Sequence, residues 1–512
     1  MTIDQNTSQT LLEQLPWLRL SPPIIAIGLA VVFKEVNFAL LLATFYGCLL
    51  LSCFSAAGSI DELCNIVIRQ LTNTDHAAVI LFTVLLGSMI SVMNQSGGTS
   101  AVVERMTGFA NTRQKGQVLT WLTGLIVFFD DYANTLLIGG SMRPLCDRLK
   151  ISRAKLAFLI DATAAPVAGL AISTWTAFEI GVITQGLTAA QIDANASEVF
   201  FATIPFRIYP LLAIVTVAGI AICGRDFGPM LEAEQRALND DQHRPNQQNR
   251  FVGTSIWFAI LPVAVLVAIV IVGFLRDVDA YRLLLLAALA ASTLAVVLPL
   301  AGRQMTMAEC SASWVAGIES MIPAIIVLTL AWSIADVCGV EQLNTAGYLI
   351  SQVGDSISPV FLPTVAFIAA AVIAVSIGSS FTTMSLLLPL FIPLAWSILG
   401  SADSSVSVDE PIFLATIGAI LAGAIFGDHC SPISDTTVLS SAAAGCDHLQ
   451  HVATQLPYAL LIAACSVFLG YLPIGFGVPW WLCLPISAMA CIGVVLYLGQ
   501  RPTEIQNENV VQ

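Results

Sequence analysis

Long apolar runs broken by carboxylates constrain this sequence more than any other feature. Runs 77–103, 251–275 and 283–302 contain no Asp, Glu, Lys or Arg. A helix needs about 20 apolar residues to cross the hydrocarbon core of a bilayer. Runs 356–402 and 452–500 are each long enough for two such helices. With 20–33, 36–60, 116–142, 154–178, 199–223, 313–335 and 411–427, roughly eleven to thirteen membrane segments are expected. Lipid offers no partner to a backbone N–H or C=O, so these segments must be helices. The alternating strands of about ten residues that build a membrane barrel are missing. The expected fold is therefore an all-α polytopic membrane protein.

Composition narrows the function. Only 11% of the 512 residues are charged and 57% are hydrophobic, whereas a soluble domain carries roughly 25% charged residues. A soluble enzyme is excluded, and membrane lipid is the expected surroundings. The net charge is −14, with 20 Lys and Arg in all. That argues against nucleic acid, whose phosphates need clustered cations. The twelve Cys are scattered, several within apolar runs, which fits small-residue packing and not a disulfide framework.

The basic residues give an orientation. Arg143, Arg148, Lys150, Arg153 and Lys155 cluster, as do Arg225, Arg236, Arg244 and Arg250, and Arg303 lies in another short loop. Pairs of spans separate the three segments, so loops 143–155, 224–250 and 301–312 are expected in the cytoplasm of a plasma (inner) membrane protein. Loop 274–282 then faces outward. Arg207, between Pro205 and Pro210, is expected to snorkel to an interface, and Trp480 and Trp481 to sit in an interfacial belt.

Two halves of the chain echo each other. Val79–Gly98 resembles Ala324–Gly339. Phe129–Thr135 lies over Gly378–Met384, and Asp161–Pro166 over Asp428–Pro432, in the same order. The chain divides into 1–75 (tail and first spans), 76–223 (first repeat), 224–250 (polar linker), 251–312 (intervening spans), 313–475 (second repeat) and 476–512 (last span and tail). In secondary transporters the binding site forms between such repeats, where helices are interrupted near the midplane.

The interruptions hold the chemistry. Ionisable groups inside spans are costly and retained for a purpose. Asp130 and Asp131 follow run 116–129, Asp161 lies within 154–178, Glu179 closes that run, Asp336 marks a break, and Asp428, His429 and Asp435 follow 411–427. No Lys or Arg adjoins Asp161 or Asp428. These acids must then be protonated, bind a cation or reach water. Burial favours the proton and a bound cation the opposite, and that competition is the minimal chemistry of a cation/proton exchanger. A hard cation wants oxygen ligands, which Asn134, Thr135, Thr163, Ser379, Ser380, Thr382, Thr383, Ser431, Ser434 and Thr436 supply. His429 can shuttle protons. Cys446, His448 and His451 do not complete a tetrahedral zinc set, and that segment is expected to cap a helix beginning near His451.

Three strings resemble the NhaC-type Na+/H+ antiporter family. They are Phe128 to Gly139 (FFDDYANTLLIG), Ile151 to Ala168 (ISRAKLAFLIDATAAPVA) and Phe426 to Ser441 (FGDHCSPISDTTVLSS), the last followed by Thr454 to Ala459. The resemblance runs from about residue 20 to 475. It implies a helical carrier with two inverted repeats, re-entrant hairpins and broken helices, arranged as a homodimer. It also implies Na+/H+ antiport with no cofactor besides the transported Na+ and H+. Na+ is expected at Asp131, Asn134, Asp161, Asp428 and Asp435. The second-half motif departs from the family's usual GTSWGT, reading Gly378-Ser379-Ser380-Phe381-Thr382-Thr383. An alternative is therefore a Na+- or H+-coupled carrier of a small carboxylate or amino acid, which a buried Arg near the site would favour. A membrane aspartyl protease would need one proton-sharing dyad and no duplicated Ser/Thr-rich breaks.

Overall fold

The computed structural model describes residues 12, 14–33, 35–107, 110–239, 255–274, 276, 280–339, 341–353, 358–402, 407–432 and 434–503. Part of the polar linker, 240–250, and part of loop 274–282 lie outside the described residues. Among the described residues the regular structure is helical, apart from one antiparallel bridge between Asp226 and Gln500. Seven helices there are long and apolar enough to cross a membrane, or eight if the bent pair Ala196–Phe206 and Ile208–Cys223 counts as one span. Shorter apolar helices, Asn37–Leu51, Trp257–Val270 and Leu328–Cys338, account for further apolar runs.

Eight helices frame the centre. The first hairpin is α1 (Arg113–Ile126) and α2 (Asp131–Arg148). The first broken helix is α3 (Arg153–Ala168) and α4 (Thr174–Ala189). The second hairpin is α5 (Leu362–Ile377) and α6 (Ser380–Ala402). The second broken helix is α7 (Pro411–Cys430) and α8 (Asp435–Ala444). Run 116–142 is thus a hairpin and not one span. Helix α1 ends after 14 residues at the tip 127–130, short of the roughly 20 a crossing requires.

Close approaches fix the directions. Gly116 and Gly124 of α1 abut Ile151 and Thr163, so α1 runs parallel to α3. Gly423 and Gly427 abut Ala370 and Ala374, so α5 runs parallel to α7. A Cβ on Gly427 would collide with the Ala374 side chain and backbone, and this contact needs glycine. Trp396 late in α6 meets Phe413 early in α7 at 5.5 Å, which makes α6 antiparallel to α7. Gly378, at φ +73°, makes the tip turn that ends α5, a left-handed conformation that glycine adopts without penalty.

The two units are inverted. Gly139 of α2 abuts Ala443, and Arg153 at the start of α3 donates to the Ala444 carbonyl at 2.8 Å. The base of the first hairpin and the end of α8 therefore share one face. Gly186 of α4 abuts Ile392 of α6, so α4 and the base of the second hairpin share the other. Helices α3 and α7 are enclosed from Ala154 to Ala168 and from Phe413 to Cys430. Their apolar residues run around the whole helix, as expected for helices without a water-facing side.

Charged residues seal the first hairpin's base. Glu234, on the helix Gly228–Asn239, pairs with Arg113 at 2.5 Å and accepts from the Ser152 amide at 2.7 Å. Lys155 is fully enclosed and pairs with Asp226, which also accepts from the Tyr458 hydroxyl at 2.9 Å.

Candidate functional site

The breaks bring α3, α7, α8 and a further helix, α9 (His448–Cys465), to one crossing. Asp161 sits there on α3 with no exposed surface. Its Oδ1 accepts from Ser440 at 3.2 Å, and its Oδ2 from Thr437 at 3.3 Å and Gln455 Nε2 at 2.6 Å. Its main-chain carbonyl lies 3.2 Å from His429 Nε2. Asp428, in the last turn of α7, is equally enclosed. Its Oδ1 accepts from Ser434 at 3.3 Å, and its main-chain carbonyl accepts from Thr437. Thr437 therefore ties the two acid-bearing helices together.

The tip of the first hairpin meets the first break. The Thr174 amide donates to the Phe129 carbonyl at 3.0 Å and its hydroxyl to Asp130 Oδ2 at 3.1 Å. Asp130, Asp131, Asn134 and Thr135 are all buried. Asn134 Nδ2 donates to the carbonyls of Gly124 at 2.8 Å, Val127 at 3.0 Å and Thr163 at 3.3 Å. It thereby caps orphan carbonyls at the end of α1. Its Oδ1 is enclosed and has no hydrogen-bond partner among the described residues. The Thr163 hydroxyl is spent on the Leu159 and Ile160 carbonyls at 2.8 and 3.1 Å.

The remaining predicted residues divide. At the second tip, Thr382 donates to Ser379 Oγ at 2.9 Å and Thr383 to the Ser379 carbonyl at 2.9 Å. These two hydroxyls serve their own turn, and Ser380 begins α6. Phe381, where the motif departs, packs on Trp175 at 5.0 Å and Phe178 at 4.3 Å, filling space between α6 and α4. Ser431, Ser434 and Thr436 are buried at the second break, with Ser434 and Thr436 hydroxyls 2.9 Å apart. Asp435 begins α8, and its side chain lies outside the described residues. His429 is buried with Nδ1 2.8 Å from the Tyr209 hydroxyl.

Ser440, Ser441 and Gln455 are side chains at the crossing that the sequence reading does not single out. Thr437, Ser440 and Ser441 lie on one face of α8, and His448, His451 and Gln455 on one face of α9. Spacings of three and four residues were the signal that could have found them. His451 links Ser441 at 2.9 Å to Gln455 at 2.9 Å, and His448 links Ser441 at 3.1 Å to the Pro432 carbonyl at 2.6 Å. Helix α9 begins at His448, capped by Asp447, and not at His451.

One expectation about charge is corrected. Arg207 does not snorkel. It is fully enclosed and meets Glu179 Oε2 at 2.5 Å, with its other bonds to Thr203 and the Gly169 carbonyl at the first break. Desolvation of a guanidinium demands such a partner, and helix α4 supplies it. Asp336, near the end of its helix, accepts from Arg69 and Gln70 at its Oδ2, at 2.8 and 2.9 Å.

Asp428 at the second break and Asp161 within α3, both enclosed and facing hydroxyls and an amide, can hold a proton or a small cation. This architecture is that of a secondary active transporter. The Na+/H+ antiporter family model matches residues 167–476, and the chain belongs to that family. An uncharacterised protein of Haemophilus influenzae is 29% identical over 94% of this chain and 95% of its own length. An uncharacterised Na+/H+ antiporter of the same organism is 35% identical over 22% of this chain and 23% of its own. The crystal structure of the YdaH transporter of Alcanivorax borkumensis shares the fold, with a TM-score of 0.58 at 18% identity over 84% of this chain and 91% of that one.

Proposed function

We propose that the chain exchanges Na+ for H+ across the plasma membrane at the Asp161–Asp428 crossing. A protonated Asp161 releases its proton as Na+ binds, so that Asp–COOH and Na+ become Asp–COO⁻·Na+ and H+. Oxygens of Ser440, Thr437, Ser434 and Asp428 complete a hard-cation environment, and Asn134 Oδ1 on the neighbouring hairpin is an unspent acceptor. The sealed base of the first hairpin, rich in Arg and Lys, is the cytoplasmic face in this reading.

The observation that carries the proposal is the state of Asp161. It is fully buried and hydrogen-bonded by Ser440, Thr437 and Gln455, and no Lys or Arg is ion-paired to it among the described residues. Such a carboxylate holds a proton or a cation. The test is NaCl-induced dequenching of a pH dye in vesicles holding purified protein. A wild-type protein without a Na+-dependent signal sinks the reading. Carriage of a small carboxylate has less support, because the buried arginine it would use, Arg207, is committed to Glu179, Thr203 and Gly169. Radiolabelled uptake separates the two.

A further inference from the structure

We infer that Arg207 is a built-in cation. Its guanidinium fills the first helix break, so that each chain has a single place, at the second break, for an exchangeable Na+. This assignment rests on the reading of the Asp161–Asp428 crossing as the Na+ site, and it sets the number of ions that crossing carries.

A helix that stops inside the protein leaves carbonyl oxygens to be satisfied and presents the negative end of its dipole. In transporters with broken helices such ends coordinate cations. The first break has this character. Helix α3 ends at Ala168, and the Gly169 carbonyl, the Glu179 carboxylate and the Thr203 hydroxyl converge beside it. That oxygen set suits a hard cation, and Arg207 takes all of it. Its Nη1 donates to the Gly169 carbonyl and to Glu179 Oε2, the latter at 2.5 Å. Its Nη2 and Nε donate to Thr203 Oγ1 at 3.1 and 3.3 Å, and the Phe200 ring centre lies 4.5 Å from its Cζ. Glu179, Thr203 and Arg207 are fully enclosed. A guanidinium stays charged at any working pH. It is also tethered to the chain, so it neither leaves the break nor yields to a proton.

The second break follows the same plan with a neutral group in that place. In each half, the element after the broken helix reaches back to it. After α4 that element is the bent pair Ala196–Phe206 and Ile208–Cys223, and it brings Arg207 to the Gly169 carbonyl. After α8 it is α9, and it brings Gln455, whose Nε2 donates to the His429 carbonyl at 3.0 Å and to Asp161 Oδ2 at 2.6 Å. A side-chain amide carries no charge. Asp161 therefore faces an amide and the hydroxyls of Thr437 and Ser440, and no Lys or Arg is ion-paired to it among the described residues. An enclosed carboxylate that is ionised needs a positive partner. Glu179 receives one from the chain, and Asp161 must take one from solution. The kinked element touches both breaks, since the Tyr209 hydroxyl, two residues beyond Arg207, lies 2.8 Å from His429 Nδ1.

Equilibrium binding of radiolabelled Na+ to the purified full-length chain is the test. The wild type should saturate at one Na+ per chain. Arg207→Ala empties the first break and keeps Glu179, Thr203 and the Gly169 carbonyl. It should saturate at two, and guanidinium chloride at a non-denaturing concentration should displace one of the two. By mass action guanidinium should also raise the thermal midpoint of this variant and leave that of the wild type in place. Glu179→Gln combined with Arg207→Met removes the site along with its cation, and should saturate at one without responding to guanidinium. Arg207→Lys keeps the charge, carries the test if the Ala variant does not fold, and should saturate at one. An Arg207→Ala protein that binds one Na+ and ignores guanidinium overturns the inference. So does a second Na+ on the wild type, the Lys variant or the double variant, and in each case the exchanger stands. A wild type that neither binds nor moves Na+ overturns the exchanger and this inference with it.

Discussion

Arg207 and Glu179 meet within the helical core, Nη1 to Oε2 at 2.5 Å, and neither side chain reaches the surface. The pair joins α4 to the kink at Ile204–Phe206, and Arg207 also grips the Gly169 carbonyl at the first break. Removing one partner leaves an uncompensated buried charge, at a cost of about 3–5 kcal/mol. Arg207→Leu and Glu179→Leu should each abolish stably folded protein at moderate temperature, while the double variant recovers part of the loss. Thermal unfolding of the four purified proteins gives the coupling energy. Additive effects would show that the pair does not act as a unit.

Asp161→Asn and Asp428→Asn should both lose Na+-dependent exchange while inserting normally. Asparagine keeps the shape but can neither release a proton nor neutralise Na+. Dequenching assays on matched amounts of membrane protein check this, and full activity in both variants removes these residues from the mechanism.

In the proposed exchange, proton and Na+ compete for the Asp161 carboxylate. The Na+ concentration for half-maximal exchange should therefore rise as pH falls, by up to about tenfold per pH unit on the acid side of the exchanging group. Initial rates across a pH series test it. A half-saturation value independent of pH contradicts competition.

The base seal should govern access at the first hairpin. Glu234→Ala frees the Ser152 amide and Arg113 together. Amide exchange at residues 150–156 should speed up markedly, with little change at α5–α6. Uniform exchange across both hairpins would show general destabilisation instead.

Outside the core, Glu309 accepts from the Thr306 amide at 2.7 Å and its hydroxyl at 2.9 Å. These bonds hold its carboxyl below the usual range. A depressed folded pKa contributes stability that is present above the unfolded value and lost as pH falls through the folded one. The start of the helix Met307–Cys338 should fray on acidification in the wild type, and Glu309→Gln should remove that pH dependence. Amide exchange at 307–311 reads it.

Much of this protein is legible along the chain. Apolar runs of sufficient length determine helices in lipid whatever their neighbours, because backbone hydrogen bonds have no other outlet there. Acids within apolar runs, such as Asp161 and Asp428, mark the functional centre, since desolvation makes idle charges too costly to keep. Other features depend on partners far away in sequence. Run 116–142 reads as a span, and only the packing of Gly124 on Thr163 and of Gly139 on Ala443 shows it doubling back. Arg207 reads as an interfacial residue until Glu179, 28 positions away, is seen beside it. Gln455 meets Asp161 across 294 positions. Composition and local spacing determine that a segment is buried and that a carboxylate is unusual. What faces that carboxylate is decided by directional hydrogen bonds between helices, and these exist only once the two inverted halves have packed.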